Sequence, residues 1–320
     1  VLSTALLAQD FSGLHSGNWA GVHSLHINPA NVVDNRFSVD VNVFSINNFF
    51  GNDYIGMKKD PVFDTDLFSV TDFDDQYLTR DTSGSPKNMT FSTRVMLPSF
   101  MMNITKKDAI GLSVNHRAIF NIDEVTQDIT ELIYNGLTQG DLNLDFAGSY
   151  GSVNGASWTE VGLHYGRVII DNNQHFLKGG ITLKAMLGAN AAYATIRDFN
   201  FRFNDLDTIE NLAGEVFYGH TENLINEGGY SPLSVAGFGM GVDLGFVYEW
   251  RPNYMRYKYN MDGEENLWRK DKEKYKLRIG VALNDLGSIR FTKVPGSSDY
   301  SANVQNVGLD FFEGVENISD

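Results

Sequence analysis

Cysteine is missing from all 320 residues, which removes disulfides, thiolate metal sites and cysteine nucleophiles together. Positive charge is scarce too. Lys and Arg number 25 against 40 Asp and Glu, and the net charge of −15 repels phosphate backbones and excludes nucleic acid as a partner. No stretch of about 18 consecutive apolar residues occurs, so no segment reads as a membrane-crossing helix. Charged residues make up only 20% of the chain while 42% is hydrophobic, a balance that excludes disorder. What the chain has in excess is glycine, 31 residues, which suits many strands and tight turns.

Alternation of apolar and polar residues dominates. Over 36–46, Phe37, Val39, Val41 and Val43 share one face and Ser38, Asp40 and Asn42 the other. The same grammar recurs over 91–97, 110–117, 142–146, 181–187, 198–203, 238–248 and 275–284, with weaker candidates over 158–169 and 300–312. Runs of roughly ten alternating residues, apolar outside and polar or glycine-dotted inside, are the signature of an antiparallel transmembrane β-barrel. Aromatics near run ends (Phe37, Tyr150, Trp158, Tyr165, Tyr248, Trp250 and Tyr275) are expected to form interfacial girdles. Polar alternates then face the lumen: Asp40, Asn42, Arg94, Asn115, Arg117, Lys184, Arg202 and Asp243. Unpaired charges in a narrow interior are costly, so Arg94, Arg117, Lys184 and Arg202 are expected to pair with Asp40, Asp145, Asp198 and Asp243 and plug it.

Tight turns are expected at 104–108 and 171–174, and long loops over 48–87, 121–140 and 205–233. The second loop carries a short extracellular helix, with Val125, Ile129, Leu132 and Ile133 on one face and Gly136 as its stop. The mixed-charge stretch 251–274 fits neither end of the barrel by loop length. At the N-terminus, residues 1–8 read as the tail of a signal peptide, residues 9–35 as a periplasmic or plug segment, and residues 36–320 as a barrel incomplete at its C-terminus.

Catalytic patterns fail on spacing. His15, His23 and His26 crowd together without a ligand motif, and the glycines of 237–241 lie inside a strand pattern with no following helix. The acidic loop with Asp53, Asp60, Asp64, Asp66, Asp72, Asp74, Asp75 and Asp81 lacks the glycine and glutamate spacing of a calcium hand and reads as a solvated face. Neither enzymatic activity nor a cofactor or metal is expected.

Leu25, His26, Ile27, Asn28, Pro29 and Ala30, running through Asp34 into the first alternating run, resemble the start of an uncharacterised outer-membrane barrel family of the Bacteroidota. Phe176 to Gly180, Tyr275 to Gly280 and Asp285 to Ile289 are similar to that family as well. The resemblance implies a barrel of about 12–14 strands when complete, often followed by an OmpA-like peptidoglycan-binding domain that is absent here. Asn28, Pro29 and Ala30 also resemble the corresponding triplet of FadL-like transporters, a plug leading into the first strand. Three functions follow as expectations. One is an outer-membrane anchor or accessory subunit of an assembly or export machine, touching lipid, lipopolysaccharide and other outer-membrane or periplasmic proteins. The second is a FadL-like transporter of small hydrophobic compounds. The third is a soluble β-sandwich binding module, which requires that residues 1–8 not be a leader.

Overall fold

The computed structural model describes residues 19–58, 77–222, 235–295, 297 and 299–308. Antiparallel strands make up most of it: β1 (Val39–Asn42), β2 (Ser45–Asn52), β3 (Ile55–Met57), β4 (Leu78–Arg80), β5 (Lys87–Met96), β6 (Ser99–Asn103), β7 (Asp108–Val125), β8 (Asp145–Asn172), β9 (His175–Phe203), β10 (Thr208–His220), β11 (Gly237–Trp250), β12 (Lys258–Met261), β13 (Glu264–Trp268), β14 (Leu277–Phe291) and β15 (Asp299–Gly308). Among the described residues the α-helix α1 (Gln127–Asn135) and several 3-10 turns complete the order.

Eleven of these strands form a single sheet. β1 and β2 keep one register against β6 and β5, so each pair is one line of chain, the second interrupted at Pro98, which has no N–H for the ladder. β7, β8 and β9 follow by adjacent hairpins. β9, 29 residues long, carries β11 along its first half and β10 along its second. Beyond these, β14 pairs with β11 and β15 with β10. The sheet has open edges at β1/β2 and at β14/β15, and these do not pair with each other among the described residues. At about 3.3 Å per residue, the 28 residues of β8 run roughly 90 Å.

The two ends of the sheet differ. At the turn end, Ile104 N donates to Asp108 O (2.9 Å), and β8 reverses into β9 over Asn173 at φ 52°. Residues 251–276 belong to this end as well. Arg251 N donates to Gln174 O (2.7 Å), Lys106 pairs with Glu264 (2.7 Å) and the Trp268 indole donates to Asp171 (2.9 Å). At the loop end lie the β3–β4 hairpin and α1. As expected, Gly136 follows the helix at φ 70°, and Ile129 and Leu132 pack against the cluster of Phe201, Phe203 and Ile209. Ile133 does not join them and is exposed.

Two expectations are corrected. Within the expected long loop over 205–233, residues 205–207 are instead a tight turn, closed by Asn204 N to Thr208 O (3.2 Å), and β10 follows to His220, while residues 223–234 lie outside the described residues. Ile209 and Leu212 stand three apart there, and the register shift between Ile209 and Asn211 breaks strict alternation, so no periodic run marks the strand. The run 142–146 is a strand only from Asp145, because Asn143 takes φ 60° after the 3-10 turn Gln139–Asp141. The expected leader at 1–8, His15, and Asp60 through Asp75 lie outside the described residues.

One face of the sheet is apolar and open. Leu183 is 55% exposed, Val281 63% and Met240 68%. The opposite face is polar and covered. Thr182 and Asp243 on it are buried, as are the apolar residues Met96, Met101 and Phe176, against which Val22, Leu25, Val32 and Val33 of the N-terminal segment pack.

Candidate functional site

The segment after Trp19 forms two 3-10 turns, Gly21–His26 and Pro29–Val32, and lies on the polar face. Asn28 starts the second turn in an extended conformation, as a residue before proline favours, and its Oδ1 accepts from Ala30 N–H at 2.9 Å. Its amide donates at 3.1 Å to both Phe246 O and Val281 O, register partners on β11 and β14. Glycines make this approach possible. A Cβ at Gly180 would collide with the Pro29 carbonyl and Ala30 N, and one at Gly245 with the Asn28 side chain. At the other side of the segment Asp40 accepts Val22 N–H at 2.7 Å.

Toward the turn end the segment is held by charge. Asp34, whose side chain is 14% exposed, contacts Arg251 Nη2 and Lys274 Nζ, each at 3.1 Å. Arg251 is wholly buried, paired with Glu249 (2.6 Å) and stacked 3.6 Å from the Phe176 ring centre. Lys178 Nζ donates to Val33 O (2.6 Å) and Arg278 Nη2 to Asn31 Oδ1 (3.0 Å). Burial pushes the Asp34 carboxyl up, but Lys274, Lys178 and Arg251 outweigh it and hold the pKa below the ordinary 3.8. A depressed folded-state pKa contributes stability above the unfolded value and loses it as pH falls through the folded one. The protection of the Ala30 amide, its exchange measured against the intrinsic rate at each pH, should therefore fall as pH drops below 3.8, and Asp34→Asn should abolish that fall while lowering protection at neutral pH.

Farther along the same face runs a charged row. Lys184 sits between Asp243 (2.7 Å) and Asp285 (2.6 Å), and Arg117 reaches Asp285 (3.3 Å) and Glu160 (3.5 Å). Asp285 enters the row through a β-bulge, at φ 58°, with its N–H donating to Asp243 (2.7 Å). Beside it Ser113 Oγ meets His164 Nε2 (2.8 Å) and Thr182 Oγ1 meets His164 Nδ1 (2.7 Å). This chain imitates a hydrolytic relay but has a neutral hydroxyl where a carboxylate would steady an imidazolium, and all three side chains are buried.

Most residues singled out by alternation share this face. Asp40, Met101, Gly111, His164, Thr182 and Asp243 are successive register partners in one transverse row. Arg94 pairs in register with Arg117, and Asn42 donates to Met96 O (3.3 Å). Asn115 is 0% exposed, and neither atom of its amide finds a hydrogen bond among the described residues. Arg202 stands apart at the loop end, with Asp145 (3.4 Å) and Glu210 (3.0 Å). The expected charge pairing holds for Lys184 with Asp243 and Arg202 with Asp145, but Asp40 binds a backbone amide and Arg117 takes two acids not foreseen. Trp158 is no girdle residue. It shares the polar face, with the Arg117 guanidinium 5.0 Å from its ring centre. Tyr165, Tyr248 and Trp250 do stand at the turn end of the open apolar face. Among the described residues no group of three His, Asp or Glu is placed to hold a metal.

Residues 29–320, which include the Pro29 turn, the Asp34 cluster and every strand of the sheet, match the model of a family of unknown function, DUF5723. The chain belongs to DUF5723. No curated protein and no solved structure matches it. For this DUF5723 chain the functional residues missed by alternation fall into two kinds. Glu160 and Lys178 lie two or four residues from flagged neighbours at the same parity and were readable in principle. Asp34, Arg251 and Lys274 converge from 217 and 240 positions apart, with no local signal.

Proposed function

We propose that this DUF5723 protein is an outer-membrane β-barrel wall whose interior is plugged by its own N-terminal segment, serving as an anchor or accessory subunit of an outer-membrane assembly or export machine. The carrying observation is the division of the sheet into an exposed apolar face and a polar face covered by residues 19–35. Such exposure over so many strands is far more than single surface hydrophobics account for, and a bilayer is its natural solvent. Along β9 the apolar face runs from Leu177 to Leu187, matching the roughly 9–11 residues a tilted membrane strand needs. The rest of β8, β9 and β10 then projects past the membrane on the loop side as a platform for lipopolysaccharide or partner proteins. The turn end would face the periplasm, where a peptidoglycan-binding domain of the kind often carried by the outer-membrane family this chain resembles would act. Both sheet edges would need strand partners in lipid.

A FadL-like transporter is the second reading, favoured by the seating of Asn28, Pro29 and Ala30 as a plug. Against it stands the row of Arg117, Glu160, Lys184, Asp243 and Asp285, which no hydrophobic compound would cross readily. Conductance of the detergent-purified full-length protein in planar bilayers separates the two. The plugged wall should give no steady current, whereas a large ohmic current would overturn the plug and restore the transporter.

A further inference from the structure

A cavity of about 460 Å³ opens at the turn end between the N-terminal segment and residues 270–280. Its lining carries six Lys and Arg side chains against three carboxylates, Asp34, Glu249 and Glu273. Lys178 is the group with most to spare. It is 3% exposed and lines the cavity, and of the three donors on its ammonium one is used, on Val33 O, among the described residues. At the mouth stand Arg36, Lys270 and Lys272, in a chain that is otherwise strongly acidic.

We propose that this cavity binds a small phosphate-bearing molecule, with the phosphate on Lys178 and its ester group toward Asn28, Asn31 and Tyr275. A buried ammonium is costly to leave partly paired, and a dianionic phosphate monoester offsets two of the three charges by which the lining's cations exceed its carboxylates. Ammonium groups bind phosphate as point charges without demanding a fixed fork. The volume exceeds that of a bare ion and suits a glycerol- or sugar-phosphate, whose hydroxyls can donate to the second lone pairs of the Asn28 and Asn31 amide oxygens on the cavity wall. The lysines at the mouth raise the local anion concentration. Nothing in the inference depends on the membrane reading, since the cavity is formed by the segment and the sheet alone.

The test is thermal unfolding of the detergent-solubilised full chain in glycerol 3-phosphate at fixed ionic strength, with chloride as control. The melting temperature should rise with glycerol 3-phosphate and not with chloride. Lys178→Met should abolish the rise. Lys270→Glu with Lys272→Glu, both exposed and away from packing, should weaken binding at least tenfold with the fold intact. In nanodiscs, competition by phosphatidylglycerol would support a lipid headgroup as the natural source, and its absence alongside binding of the soluble ester would support a soluble one. Failure of both the ester and the lipid to bind, or binding unaltered in both variants, would overturn the proposal.

Discussion

Arginine at Leu183 or Val281 should destabilise the protein in lipid vesicles by about 2–4 kcal/mol, the cost of a charge on a lipid-facing strand position near the midplane. Both side chains are more than half exposed on the apolar face, so in water neither change would disturb packing. The cost therefore appears only if lipid is the solvent. Asn42→Lys, on the polar face, keeps a donor in reach of Met96 O and Leu97 O and should cost no more than about 0.5–1.5 kcal/mol, the net worth of one hydrogen bond. Asn115 is a poor control, although alternation puts it on the polar face. It is fully buried with an unpartnered amide, and a charge there would be penalised for reasons unrelated to lipid. Guanidinium unfolding of the vesicle-embedded protein, followed by tryptophan fluorescence, measures both sets, and equal tolerance on the two faces would remove the membrane assignment.

Asp34→Ala should be the most damaging single change in the N-terminal segment. It strips the carboxylate from Arg251 and Lys274, and breaking a buried pair from one side costs about 3–5 kcal/mol. Since Asp34 is attached to the segment and its partners to the sheet end, the loss is expected as release of residues 19–35 rather than collapse of the strands. Limited proteolysis should cut the variant within 19–35 while β7 to β9 stay protected. Gly180→Val tests the same seat from the sheet side, because the added carbons meet the Pro29 carbonyl directly. It should open the same cleavage sites and raise bilayer conductance. A segment as protected in both variants as in wild type would mean that neither the charge cluster nor the glycine floor holds it.

Legibility followed the continuity of alternation. β11 and β14 repeat apolar and polar residues over most of their length; β11 agrees with the periodic reading to within two residues, whereas β14 continues seven residues past it, to Phe291, beyond the bulge at Asp285. β8 was harder to see because glycines and small residues at 148, 151, 155, 156 and 162 dilute its contrast, and its bulges shift the phase between Phe146 and Gly151. Asp285 illustrates the limit. Strict alternation after Leu283 would not turn it inward, yet the bulge and its positive φ place it at the centre of the charged row. The N-terminal triplet drew notice for its proline, but the reason it matters, a glycine on each of two distant strands facing it, is a property of register rather than of the triplet.

The central claim is that one face of the sheet meets lipid and the other meets the N-terminal segment. Spin labels placed singly at residues 181 to 187 of β9 in reconstituted vesicles test it most directly, by comparing collision with oxygen and with a water-soluble nickel chelate. Labels at Ile181, Leu183, Ala185 and Leu187 should collide mainly with oxygen, and labels at Thr182, Lys184 and Met186 with neither, giving a period of two along the strand. Strong nickel contact at the odd positions would show that face in water and contradict the account.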